Sequence, residues 1–282
     1  RIPVTWYKHL GSAPDYTINA AWLDRVQQIT DWVLADGMYA IVNTHHDEWV
    51  SLMPGVDQAA ISAELSKIWT QVATRFRDYD DHLLFETLNE PRTKDNTEWT
   101  GGTHDARVIL NGYNAAAVQA IRATGGNNAQ RFIMVPTHGA NSSDTCVADL
   151  VIPNNDSRVI ISLHTYYPWS FCGDAAGTAA FGTAADLSAM NSELDRIASI
   201  TVQQGHAVVI GEWASLDKNN TAARTTHAQA YAAAVRQRGM LPVWWDNGAI
   251  GNNGMGIFNR AALTWFYPTI RDALVTGANS VP

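Results

Sequence analysis

The chain has 282 residues, 46% of them apolar and 16% charged, with a formal net charge of −8 at neutral pH. That length suits one α/β domain of the ~250-residue class, and the acidic balance argues against nucleic acid or an anionic membrane as the main partner. No apolar stretch approaches the ~20 residues a membrane-spanning helix needs.

Taken in chain order, strand and helix patterns alternate. Short apolar runs rich in β-branched and aromatic residues, bounded by Pro or Gly, predict strands at 1–6, 39–44, 83–88, 132–136, 159–163, 207–211 and 241–245. Helical spacing predicts helices at 20–35, 59–76, 105–123, 185–204, 221–237 and 263–275. In the first of these, Trp22, Val26, Ile29, Trp32 and Val33 recur on one face, and Gly37 stands just past the end as a stop signal. Alternating βα units imply a parallel sheet. No repeat, low-complexity tract or linker interrupts them, so residues 1–282 read as one domain. The pattern predicts an α/β fold of the (β/α)8 TIM-barrel type. Seven strands are counted where a closed barrel needs eight. Residue 1 already lies in a strand, so an export signal is expected to have been removed or to lie outside the sequence.

The candidate chemistry sits where these strands end. One run closes in Asn89-Glu90-Pro91, and another in Gly211-Glu212-Trp213. The proline cannot continue a ladder and fits an exit into a loop. Carboxylates at the carboxyl ends of parallel strands stand where α/β barrels carry their chemistry, and a pair of them is the requirement for glycoside hydrolysis. Asn89 supplies an amide beside Glu90 for a sugar hydroxyl. Glu212 emerges from a buried strand and needs partners to stay ionised; Arg1 and Tyr166 are the candidates. His164 ends another strand in a row of polar residues. His45-His46-Asp47-Glu48-Trp49 is the densest polar cluster and reads as a wall for sugar hydroxyls. It lacks the H-E-x-x-H spacing of a two-histidine metal site. No metal and no organic cofactor is expected. Trp244 and Trp245 point to opposite sides of the last strand, and alternation alone does not say which one enters the barrel mouth. Trp213 stays open between packing and function. Eleven tryptophans and nine tyrosines suit a groove for sugar rings, although most are expected in the core. An extracellular setting favours a Cys146–Cys172 disulfide over two free thiols. Asn141, Asn155 and Asn219 begin N-x-S/T triplets, which matter only where the host glycosylates.

In order along the chain, these residues resemble the glycoside hydrolase family 5 cellulases. The resemblance makes Glu90 the general acid/base, with Asn89 as the partner of the sugar 2-hydroxyl, and Glu212 the nucleophile. It matches Arg1 of Arg1-Ile2-Pro3-Val4 to the arginine ending the second strand, and His45 to the third-strand histidine, with His46 beside it. His164 and Tyr166 become the sixth-strand pair, and Trp245 the sugar platform. By this numbering the first strand-helix unit of the barrel is expected to be absent from this chain, with strands two and eight as unpaired edges.

The resemblance implies retaining hydrolysis of β-1,4-glucan by double displacement, in a secreted, monomeric enzyme whose partner is the polysaccharide. The chemistry needs Glu90 protonated and Glu212 ionised at the start. The enzymatic alternatives are a β-mannanase or xyloglucanase of the same family. From another class come a truncated, non-catalytic glycan-binding barrel and a metal-dependent hydrolase at His45/His46; only the last predicts inhibition by chelators.

Overall fold

The computed structural model describes residues 1–280; Val281 and Pro282, inside the expected 1–282 domain, lie outside the described residues. The chain packs as two compact units, Arg1–Ser162 and Leu163 onward. Among the described residues, no helix is long and apolar enough to cross a membrane.

In the first unit the elements run α1 (Ala20–Ala35), β1 (Ala40–Asn43), α2 (Gln58–Arg75), β2 (Leu83–Glu86), α3 (His104–Ala123), β3 (Ile133–Asn141), α4 (Asp144–Ala148) and the start of β4 (Val159–His164). Polar side chains start the long helices. Asn19 accepts from the Trp22 N–H, Asp57 from Ala60 and Thr103 from Ala106, each satisfying an otherwise unpaired amide. Gly37 follows α1 at φ +72°, a conformation that a side chain disfavours. Strands β1 and β2 pair in parallel, Ala40 beside Leu83 through Asn43 beside Glu86, and β2 pairs β3 in the same sense. All four residues of β1 and of β2 are buried, which is why these strands read as apolar runs rather than alternating ones.

The expected strand 1–6 appears as an extended segment with a single parallel bridge, Ile2 to Val42. The Ile2 N–H donates to the Ile41 carbonyl and the His45 N–H donates to the Val4 carbonyl, so the segment lies along β1. It then turns off at Trp6, whose N–H donates to the Asp47 carboxylate. The far end of β2 is clamped by Arg131. Its guanidinium donates to the carbonyls of Phe76, Tyr79, Asp80 and Leu83 and to the Asn128 amide oxygen, at 2.6–3.1 Å, beside the Phe85 ring. One apolar core fills this unit, from Trp6 and Trp69 through Phe76 and Phe85 to Tyr113 and Ile121.

The second unit holds the end of β4, α5 (Trp169–Cys172), α6 (Ala184–Ile200), β5 (Val208–Trp213), α7 (Thr221–Gln237), β6 (Leu241–Trp244), the hairpin β7 (Phe258–Asn259) and β8 (Thr264–Trp265), and α8 (Pro268–Asn279). Thr183 and Asp186 form a reciprocal capping box at the start of α6. Strands β5 and β6 pair in parallel. The helix expected at 263–275 divides in two. Thr264 and Trp265 instead pair antiparallel with Phe258 and Asn259, and the helix begins at Pro268, a residue pre-shaped for a first helical position. The helix expected at 185–204 stops at Ile200 and continues only as a short 3-10 turn, Val202–Gln204.

The expected Cys146–Cys172 disulfide is not formed: both thiols are free and buried. Cys146 lies against the Gly101 carbonyl, and Cys172 is 3.5 Å from His227 Nε2. Burial pushes the Cys172 thiol well above its ordinary range, so both cysteines act as small core residues.

Candidate active site

In the first unit the site begins with a buried charge that sequence reading passed over. Glu86 is the last residue of β2 and is fully buried. Its carboxylate accepts from Arg1 Nε at 2.7 Å, from the Asn43 amide at 2.9 Å and from the Ser162 hydroxyl at 2.6 Å. The Arg1 side chain is also buried, and its Nη2 donates to Asn89 Oδ1 at 2.6 Å. A buried ion pair holds only where hydrogen bonds satisfy its remaining atoms, and Asn43 and Ser162 do so. The signal was present: Glu86, Asn43 and Ser162 are polar residues inside otherwise apolar strand runs, and a carboxylate so placed demands partners.

This network orients the expected residues. Asn89 has its amide oxygen fixed by Arg1, which leaves its NH2 group to donate elsewhere. Glu90 follows, partly buried, as the chain leaves β2. Asn43 Nδ2 also lies 3.0 Å from His45 Nδ1, which sets the imidazole ring. His46 is exposed and meets His45 edge-on. The polar wall expected from 45–49 is narrower than the sequence suggested. Asp47 is buried and turned inward, accepting from the Trp6 and Tyr7 N–H groups, and desolvation raises its pKa above the usual carboxylate range. His45, His46, Glu48, Asn89, Glu90 and Arg92 share the lining of one pocket.

Through its hydrogen bonds to Glu86 and Asn89, Arg1 is the keystone of the Glu90 side.

In the second unit Glu212 stands at the end of β5, 5% exposed. The Tyr166 hydroxyl donates to Glu212 Oε2 at 2.8 Å, and His164 Nδ1 lies 3.7 Å from the same oxygen. The Thr165 N–H donates to the Glu212 carbonyl, fixing the backbone that carries the acid. The open question at Trp213 resolves to packing. Its indole is buried, stacks on Tyr231 with centroids 4.3 Å apart, and meets Trp244 edge-on at 5.1 Å. Trp244 is therefore the packing indole of the last strand, its Nε1 donating to the Met255 carbonyl. Trp245, half-buried, is bound to the Trp213 carbonyl through its backbone N–H.

Comparisons with known proteins identify the family. The model of the cellulase family, glycosyl hydrolase family 5, matches residues 1–251. A cellulase/esterase of Acetivibrio thermocellus is 48% identical over the whole of this chain, which spans 35% of that protein. A broad-specificity endoglucanase from Clostridium acetobutylicum, 47% identical, superimposes with a TM-score of 0.94 over 97% of this chain and 84% of its own. The endoglucanase of Ruminococcus champanellensis, solved with bound cellotriose, is 40% identical with a TM-score of 0.91, over 96% and 80% of the two chains. The chain spans 35%, 65% and 55% of the length of three curated relatives it matches. Its sequence and its (β/α)-barrel fold make it a member of glycosyl hydrolase family 5.

Proposed function

We propose that this chain is the catalytic part of a secreted, retaining endo-β-1,4-glucanase that acts on cellulose or related β-glucans. The observation that carries the reading is the placing of two glutamates, each at the exit of a strand and each held by its own partners. Glu90 follows Asn89 in the Arg1–Glu86 network, and Glu212 accepts from the Tyr166 hydroxyl. The cellotriose in the Ruminococcus champanellensis structure supports a β-glucan chain as the substrate here. A polysaccharide too large to enter a cell supports secretion.

In the first step the Glu90 carboxyl gives its proton to the glycosidic oxygen as that C–O bond breaks. The Glu212 carboxylate forms a bond to the anomeric carbon, through an oxocarbenium-like transition state. Glu90, now a carboxylate, takes a proton from water, and the water oxygen displaces Glu212 and frees the sugar. Asn89 donates to the 2-hydroxyl, where a hydrogen bond strengthens as charge develops. Tyr166 keeps Glu212 aimed, His45 and His46 bind hydroxyls, His164 flanks the nucleophile, and Trp245 offers a ring face to the sugar.

The test is reducing-sugar release from carboxymethylcellulose, barley β-glucan, xyloglucan and glucomannan, with Glu212→Gln as control and product configuration read by NMR. Cleavage with retention that is lost in the control supports the proposal. Normal activity of Glu212→Gln overturns it, and binding without cleavage points to a glycan-binding barrel.

A further inference from the structure

The geometry points to Arg92 as a positioning residue that sets the ionisation of Glu90 while held in a divided pull between Glu90 and Glu98. The inference rests on Glu90 being the acid/base of the proposed reaction. Arg92 Nη1 donates to the Glu90 carbonyl at 3.1 Å and lies 3.8 Å from Glu90 Oε2. On its other side Arg92 Nε donates to Glu98 Oε2 at 3.4 Å. The guanidinium sits 4.2 Å over the Trp99 ring, a cation–π contact that keeps it in place. One cation is thereby shared by two carboxylates on a single loop.

A cation within 4–6 Å favours the charged form of a carboxylate. An acid/base must be a proton donor in one step and an acceptor in the next. Arg92 alone would hold Glu90 ionised and weaken the first step. Glu98 draws part of that cation's field and opposes it.

Within the first unit, the neighbouring titratable groups have partners of their own. Glu48 and Lys94 pair with each other. Asp95 is occupied by Thr97. Asp47 is turned onto the Trp6 and Tyr7 amides, and His45 is set by Asn43. His46 is solvated. His138, from β3, accepts the Thr93 N–H at Nε2. Arg1 is engaged by Glu86. Arg92 is the cation left to act on the Glu90 carboxyl from its own loop.

The test is the pH profile of kcat/KM on 4-nitrophenyl β-cellobioside, whose alkaline limb reports loss of the acid. Arg92→Gln is expected to move that limb up by about half to one pH unit, the shift a partly solvated charge at this distance produces. Arg92→Lys keeps a charge and is expected to leave the limb near its original place. Glu98→Gln frees the whole cation for Glu90 and is expected to move the limb down. On the 2,4-dinitrophenyl glycoside, which leaves without a proton, these shifts are expected to vanish. An unmoved limb in Arg92→Gln, or an upward shift in Glu98→Gln, overturns the inference.

Glu90→Ala separates the two readings. If it loses the limb and azide restores turnover, Glu90 is the acid/base and only the Arg92 argument is at stake. If it keeps the limb, the assignment of Glu90 itself falls. Titration of the Glu90 carboxyl by carbon-13 NMR, assigned by its absence in Glu90→Gln, reads the same order of pKa values without turnover. An equal pKa in Arg92→Gln and the parent overturns the inference there too.

Discussion

The two compact units treat their catalytic candidates in opposite ways. Glu90 stands in a field of fixed charges, with Arg1 and Glu86 behind it and Arg92 and Glu98 beside it. Within its own unit, Glu212 meets a phenol hydroxyl and an imidazole. A group that must change protonation in every turnover gains from neighbouring charges that bias its ionisation. A nucleophile that stays ionised gains from a donor that aims one oxygen and adds no formal charge. The contrast teaches that paired glutamates at similar strand ends are built for different work by what surrounds them.

The sharpest way to break this comparison is at the acids themselves. Glu212→Gln is expected to lower kcat by about 10⁴-fold or more, as loss of a nucleophile does elsewhere, with an unchanged urea unfolding midpoint. A variant that loses stability along with turnover would mean Glu212 belongs to the scaffold.

Next in size is Glu86→Ala. It strands a buried Arg1, and breaking such a pair costs about 3–5 kcal/mol. Urea denaturation should show that loss together with weakened catalysis. A stable variant would show that Arg1 is held by its other contacts.

Acid stability sharpens the comparison from another side, because each unit holds a histidine whose pKa burial pulls down. Burial pulls His138 down to about 4, helped by the Arg107 cation, and burial pulls His227 to the same value. Each stays neutral in the fold, while the unfolded chain takes up a proton below its ordinary pKa of 6.5. The contribution is complete above about pH 6.5, falls as pH drops toward 4, and amounts to at most about 3 kcal/mol per group. His138→Gln and His227→Gln should each flatten the pH dependence of the unfolding free energy by a similar amount. A slope unaffected by either change refutes the assignment.

The smallest effect belongs to Tyr166→Phe. A hydrogen bond to a charged group is worth about 1.5–3 kcal/mol, so kcat should fall roughly 10- to 100-fold. Thermal melting should barely move. A parental kcat in this variant would erase the contrast between the two sides.

Much of this was legible in the sequence because strands buried on both faces must be apolar and their ends must not be. That rule located β1 through β6 and brought out Asn89, Glu90, His164 and Glu212 at strand exits. Helices 20–35 and 221–237 fell where periodicity and stop signals placed them. Glu86 escaped because a polar residue inside an apolar run looks like noise until its partners, 85 and 76 residues away in the chain, are known. Residues 263–266 carry an apolar run that fits a helix, and only Pro268 hinted that the helix starts later. The disulfide failed because cysteine counting measures opportunity, whereas each thiol here fills a place in a packed interior. The Arg1 contacts to Glu86 and Asn89 were not legible because sequence order says nothing about which strand end a terminal segment will meet.

The Arg131 clamp makes β2 a cantilever. At one end the Leu83 carbonyl of the strand shares the Arg131 guanidinium with four other acceptors, from residues 76, 79, 80 and 128, while the other end carries Glu90 into a loop. A beam fixed at its root lets its tip be rebuilt without losing its aim. Exchanges at Arg92 and Glu98 can thus retune the acid without moving the strand, and the amides of 83–87 should rank among the slowest to exchange with solvent.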